Sequence, residues 1–207
     1  MLSSKCRPRL VLFDLDGTII DTMGEYAEAA AEIISRHTGI SREEARRRYL
    51  SLSGRSFREQ LRLMGVPEDK IEVIAREFEE AKKTILERHR PGKLVWDRIG
   101  LLRDCGLRVA LSTNNECSLV ERIDWMRSLF DIILCHDPEK GIGKGLPHLR
   151  VLEEQGYRRC EIVFVGDSDY DLEVYKPYGV RSIRTRGLWK PDDTAIEEIL
   201  GELGCKT

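Results

Sequence analysis

Asparagine and glutamine are almost missing from this chain, with two of each in 207 residues beside 34 Lys and Arg and 36 Asp and Glu. Few thermolabile amides among many charges is a thermophile pattern, and it predicts such a source. Histidine is also scarce, at four, and the six cysteines are scattered without a C-x-x-C or a Cys/His cluster at zinc spacing. A cytoplasmic protein with mostly reduced thiols is therefore expected. No apolar run approaches the roughly 20 residues of a membrane helix, and the opening MLSSKCRPR has no signal-peptide core. Net charge is −2 with both signs interspersed. That balance gives no electrostatic footprint for nucleic acid. No internal repeat or low-complexity segment is present.

Short aliphatic runs recur along the chain. The first ends in RLVLFDLDGT, and later ones cover Arg108–Ser112, Asp131–Cys135, Glu161–Val165 and Val180–Arg184. They lack strict alternation, which suits strands buried on both faces of a parallel sheet. Helical stretches separate them, at Trp96–Cys105, Glu116–Leu129 and Leu146–Gln155, and Gly106, Gly156 and Gly179 stand where helices end. The pattern predicts an α/β class fold, a Rossmann-like doubly wound parallel sheet with right-handed crossovers.

The stretch 23–90 breaks this alternation and reads as helices only. Ser41-Arg-Glu-Glu44 is a capping box, and Ile71, Ile74, Ala75, Phe78, Ala81 and Ile85 form one apolar stripe after Pro67. Pro91-Gly92 marks the return. The expected organisation is a core of 1–22 and 91–207, interrupted by an all-helical domain of 23–90.

Two aspartates, Asp14 and Asp16, close the first strand. Adjacent carboxylates repel and are costly to desolvate, so they require a counter-charge. In open α/β sheets ligands bind at the carboxyl ends of the strands. That topology gathers Asp14 and Asp16, Thr113 and Asn114 after strand two, Lys144 after strand three, and Asp167 and Asp171 in FVGDSDYD. Four carboxylates with few histidines select a hard cation, Mg²⁺. A calcium loop is excluded, because Leu172 stands where its glycine belongs and Tyr178 where its bidentate glutamate belongs. Beside a metal, Asp14 can attack phosphorus and Asp16 can exchange protons with the leaving oxygen and then with water. Lys144 and Thr113 can neutralise and hydrogen-bond a phosphoryl group, and Gly17 lets the backbone turn beside it.

These residues, in this order, resemble the four motifs of the haloacid dehalogenase superfamily over nearly the whole chain: DLDGT, VALSTN, the lysine of KGLP and VGDSDYD. The helical insertion is similar to the cap of the branch containing phosphoglycolate phosphatases and β-phosphoglucomutases. The resemblance implies that Asp14 is nucleophile and metal ligand, and that Asp16 is general acid/base and binds metal through its carbonyl. It makes Asp167 a metal ligand, with Asp171 supporting it directly or through water. Thr113, the Asn114 backbone and Lys144 would hold phosphate. In the cap, Gly54, Arg55 and Arg58 of LSGRSFRE would reach a substrate anion, against the alternative of ordinary helix-surface arginines.

The implied activity is a Mg²⁺-dependent phosphatase acting on a small phosphorylated metabolite, as a monomer or small homo-oligomer. A mutase and a non-catalytic phospho-ligand binder stay open, while the presence of Asp16 argues against a dehalogenase, which lacks that second aspartate. Lys144 departs from the usual Lys-Pro, and Lys140 in EKGIGKG is its competitor. Tyr175 and Pro177 stand where the family carries small residues, an effect expected on packing.

Overall fold

The computed structural model describes residues 6–137 and 139–205, and the chain divides into two compact units, Met1–Ile20 with Arg90–Thr207, and Asp21–His89. The first unit is built on five parallel strands: β1 (Leu10–Phe13), β2 (Arg108–Glu116), β3 (Ile132–His136), β4 (Ile162–Gly166) and β5 (Arg181–Arg184). Their spatial order is β3-β2-β1-β4-β5. Strand β1 is central, with Phe13 opposite Leu111 of β2 on one side and Val165 of β4 on the other. All four residues of β1 and all five of β4 are buried, as continuous aliphatic runs covered on both faces should be. The connection changes direction between β1 and β4. This is the switch point at which α/β sheets open a crevice.

Leu10, Leu12, Ala110, Leu134, Ile162 and Phe164 share one buried cluster with Leu149, Leu152 and Tyr175. The helices of this unit are Lys93–Asp104, Cys117–Val120, Asp124–Leu129, Leu146–Glu154, Asp169–Tyr175 and Ala195–Leu203. In the second unit the helices are Met23–Thr38, Arg42–Ser51, Phe57–Leu63 and Glu68–Arg88. In chain order all ten are α1 to α10, so the helical unit holds α1–α4. Its core gathers the stripe of α4 with Tyr26, Ile34, Tyr49 and Phe57, and Phe57 and Phe78 place their rings 4.0 Å apart. The Ser41 hydroxyl accepts from the Glu44 amide at 3.2 Å, one half of the capping box read from the sequence, while the Glu44 carboxylate turns to Arg47 and Arg48 instead.

Two expectations are corrected. The single helix expected over Glu116–Leu129 is two short ones, because Ile123 takes an extended conformation and is buried, at 3 % exposure. Strand β2 meanwhile runs on through Asn115, its register against β3 shifting between Ser112 and Glu116. The thiols expected to be reduced are all paired, Cys6 with Cys160, Cys105 with Cys205 and Cys117 with Cys135. Their Cα separations of 5.5, 6.1 and 5.0 Å suit a disulfide. Scattered positions in sequence concealed partners that the fold brings together. No helix among the described residues is long and apolar enough to cross a membrane.

Candidate active site

Asp14 lies one residue beyond β1, its amide donating to the Val165 carbonyl of β4 at 2.9 Å, which sets its place at the switch point. Asp167 follows β4, and Asp171 lies in the first turn of α9. Carboxylate oxygens of Asp14, Asp167 and Asp171 lie within 4.8 Å of one another. Gly17 makes that approach possible: it has φ +84°, and a Cβ there would stand 2.4 Å from Asp167 Oδ2. Thr18 Oγ1 donates to Asp167 Oδ1 at 3.4 Å. Asp171 is anchored by its own turn, its amide donating to Ser168 Oγ at 3.1 Å while the Ser168 hydroxyl returns a bond to Oδ2 at 2.5 Å.

The competition between the two lysines is decided by burial. Lys144 Nζ donates to Asp14 Oδ1 at 2.5 Å and to Asp171 Oδ1 at 2.6 Å, with 3 % of its side chain exposed. Lys140 is 73 % exposed and pairs with Asp137 across 2.9 Å. Only Lys144 joins the cluster.

Three ionised carboxylates and one ammonium leave two negative charges together, in a pocket of hard oxygen donors. That is the complement of a divalent cation, and the residues fit Mg²⁺ on charge and donor chemistry. The same imbalance is visible in their titration. Burial raises Asp14 well above the usual carboxylate range, Lys144 opposes it, and Asp171 and Asp167 add to it. Burial, followed by the Asp171 charge, pushes Asp167 up to about 6. Burial alone would lower Lys144, but the facing Asp14 and Asp171 outweigh it and hold the ammonium charged beyond its ordinary range.

The end of β2 supplies the remaining polar groups. Thr113 is buried, and its Oγ1 accepts from the Asn115 amide and side chain, both at 3.1 Å. Asn114 Oδ1 accepts from the Lys144 amide at 3.5 Å. Asn115 Nδ2 donates to Asp16 Oδ2 at 2.6 Å. The scarcity of asparagine in the chain points to both Asn114 and Asn115, and the resemblance assigns a role only to Asn114.

A buried network behind the site was also missed. His148 Nε2 faces the Cys135 carbonyl at 3.1 Å, so it carries the proton. Nδ1 therefore accepts from Ser112 Oγ at 2.8 Å, and Ser112 in turn accepts from the Tyr175 hydroxyl at 2.6 Å. Burial lowers His148 to about 4 and raises Tyr175 to about 12, so both stay neutral. Ser112 precedes Thr113, His148 lies a turn after Lys144, and Tyr175 lies a turn after Asp171. The network thus ties together the three segments that carry the site, a role beyond the packing expected of Tyr175.

Gly54, Arg55 and Arg58 belong to the helical unit. There Arg55 pairs with Glu59 at 2.5 Å and Arg58 with Glu72 at 3.1 Å.

The family model for haloacid dehalogenase-like hydrolases matches residues 11–185. The chain belongs to this family. Among relatives of this hydrolase, PpaX of Caldanaerobacter subterraneus subsp. tengcongensis, named for a pyrophosphatase activity, is 28 % identical over 183 residues. That match covers 85 % of this chain and 80 % of PpaX. CbbY from Rhodobacter sphaeroides, solved with phosphate, superposes with a TM-score of 0.66 at 22 % identity, covering 89 % of each chain. A structure described as a phosphatase from Clostridium acetobutylicum gives 0.73 at 17 % identity, covering 96 % of this chain and 92 % of the other. At such identities these structures show the shared α/β fold.

Proposed function

We propose that this hydrolase is a Mg²⁺-dependent phosphatase that cleaves a small phosphorylated metabolite through an aspartyl-phosphate on Asp14. The observation that carries the proposal is the buried Asp14–Lys144–Asp171 bridge, with Asp167 beside it and Asp16 two residues on. PpaX and CbbY, one named for a pyrophosphatase and one solved with phosphate, support the substrate class.

Asp14, Asp167 and Asp171, with the Asp16 carbonyl, would hold Mg²⁺, which supplies charge neutralisation to the phosphoryl group. Lys144 adds a fixed positive charge, and the hydroxyl of Thr113 and backbone amide of Asn114 offer donors to phosphoryl oxygens. A carboxylate oxygen of Asp14 attacks phosphorus while the bond to the leaving oxygen breaks, and Asp16 gives that oxygen its proton. Asp16, now ionised, takes a proton from water. The resulting hydroxide attacks phosphorus, the bond to Asp14 breaks, and phosphate and both aspartates are restored. Arg55 and Arg58, on the helical unit, are proposed to contribute to substrate selection.

Hydrolysis of 4-nitrophenyl phosphate should require Mg²⁺, stop with a chelator and be lost in Asp14→Asn. Robust turnover by Asp14→Asn would overturn the mechanism. Incubation with hexose phosphates separates phosphatase from mutase, since free phosphate marks the first and an isomerised ester the second. Phosphate release across a metabolite panel then identifies the substrate.

A further inference from the structure

We propose that Asn115 is a positioning residue for proton transfer, holding the carboxyl of Asp16 so that one oxygen faces the leaving group. The inference rests on the reading of Asp16 as the general acid given above.

Asn115 is 2 % exposed, and both protons of its amide are committed. One goes to Asp16 Oδ2 at 2.6 Å and the other to Thr113 Oγ1 at 3.1 Å. With Asp16 ionised the orientation of this amide follows from chemistry: turned over, it would set its oxygen against the carboxylate. Its own Oδ1 is buried without a hydrogen-bond partner among the described residues. An unmet buried acceptor is destabilising, and an apolar side chain would avoid it. What the side chain contributes here is therefore its nitrogen. That nitrogen joins a group on the phosphate-binding strand, Thr113, to a group on the turn after β1, Asp16.

With Oδ2 engaged as an acceptor, the transferable proton is left to Oδ1. The carboxyl plane is also fixed relative to Thr113, and so relative to the phosphoryl oxygens Thr113 faces. An asparagine performs this without adding charge to a cluster already rich in carboxylates, and without a proton of its own to lose at neutral pH. A lysine would add a competing cation, and a serine would be too short to span both partners.

A positioning role for the general acid makes a prediction that a merely structural role does not. Leaving groups that depart as stable anions need no proton, whereas poor ones do. The test compares kcat/KM for 2,4-dinitrophenyl, 4-nitrophenyl and phenyl phosphate in the wild type, Asn115→Ala and Asp16→Asn. Asn115→Ala should lose on the order of 10²-fold on phenyl phosphate and under about threefold on 2,4-dinitrophenyl phosphate, within the range of general-acid effects. Asp16→Asn should show the same selectivity more strongly. Equal losses on all three esters in Asn115→Ala, with a selective loss in Asp16→Asn, would overturn the role of Asn115 alone. Equal losses in Asp16→Asn would overturn the reading of Asp16 itself. If Asn115→Ala does not fold, Asn115→Ser, which cannot reach both partners, is read in the same way.

Discussion

Lys144 and Asp14 meet at 2.5 Å although 130 residues separate them, and neither side chain is more than 7 % exposed. Buried ions are tolerated only when paired, so each of these two residues depends on the other. The Nζ of Lys144 also binds Asp171 at 2.6 Å, so among the described residues one ammonium bridges two members of a group of carboxylates. Four consequences can be measured.

Lys144→Met should lower phosphatase activity by at least about 10³-fold if the proposed mechanism holds, since it removes the fixed charge proposed to face the phosphoryl group. It should also cost about 3 kcal/mol of stability, because Asp14 and Asp171 lose their buried counter-ion. Lys140→Met removes only a solvent-screened surface pair and should leave both stability and activity close to wild type. Steady-state kinetics with thermal melts compare the two. Comparable losses in both variants would refute the assignment.

Mg²⁺ should stabilise the protein more at pH 7.5 than at pH 5. Burial and Asp171 raise Asp167 to about 6, above its unfolded value of 3.8. A carboxyl raised in the folded state contributes stability that is present below pH 3.8 and is lost as pH rises through 6. The metal-free protein therefore weakens across that window, and a divalent cation reverses the loss by replacing the proton. A rise in Tm at pH 7.5 of about 2–4 °C for each kcal/mol of stabilisation, shrinking toward pH 5, is expected in thermal scans with and without Mg²⁺. A shift independent of pH would contradict it.

His148 should make the protein acid-sensitive. Its folded-state value of about 4 lies below the unfolded 6.5, so protons bind the unfolded chain first as pH falls between those limits. The resulting loss is about 3 kcal/mol, complete by pH 4. His148→Gln should start less stable at pH 7.5, having lost part of the Ser112 network, yet decline less between pH 6.5 and 4. Denaturant melts over that range compare the slopes. Parallel curves would show that the imidazole does not carry the effect.

The three disulfides should leave no reactive thiol in the denatured, unreduced protein. Reduction should lower Tm, chiefly through Cys6–Cys160 and Cys105–Cys205, which are 154 and 100 residues apart. A loop of the latter size stabilises by about 5 kcal/mol in the chain-entropy model. Thiol titration in denaturant reads this directly, and six titratable thiols would refute the pairing.

Legibility from sequence depended on whether the governing interaction was local. DLDGT and VGDSDYD were readable because a short strand, a tight turn and carboxylates lie together in each segment. The strand and helix classes followed from aliphatic runs and ending glycines. The break at Ile123 was not readable, because it goes with the burial of a single side chain, which the pattern of the stretch does not state.

The amino-acid sequence by itself determined the class of fold and the strand ends that carry the acids, since composition and spacing state these locally. Tertiary structure decided which of two nearby lysines enters the cluster, which cysteines pair, and which of two adjacent asparagines holds Asp16. In each case the candidates share a residue type. What separates them is desolvation and distance to groups far away in the chain, and those exist only once β1, β2 and β4 lie side by side.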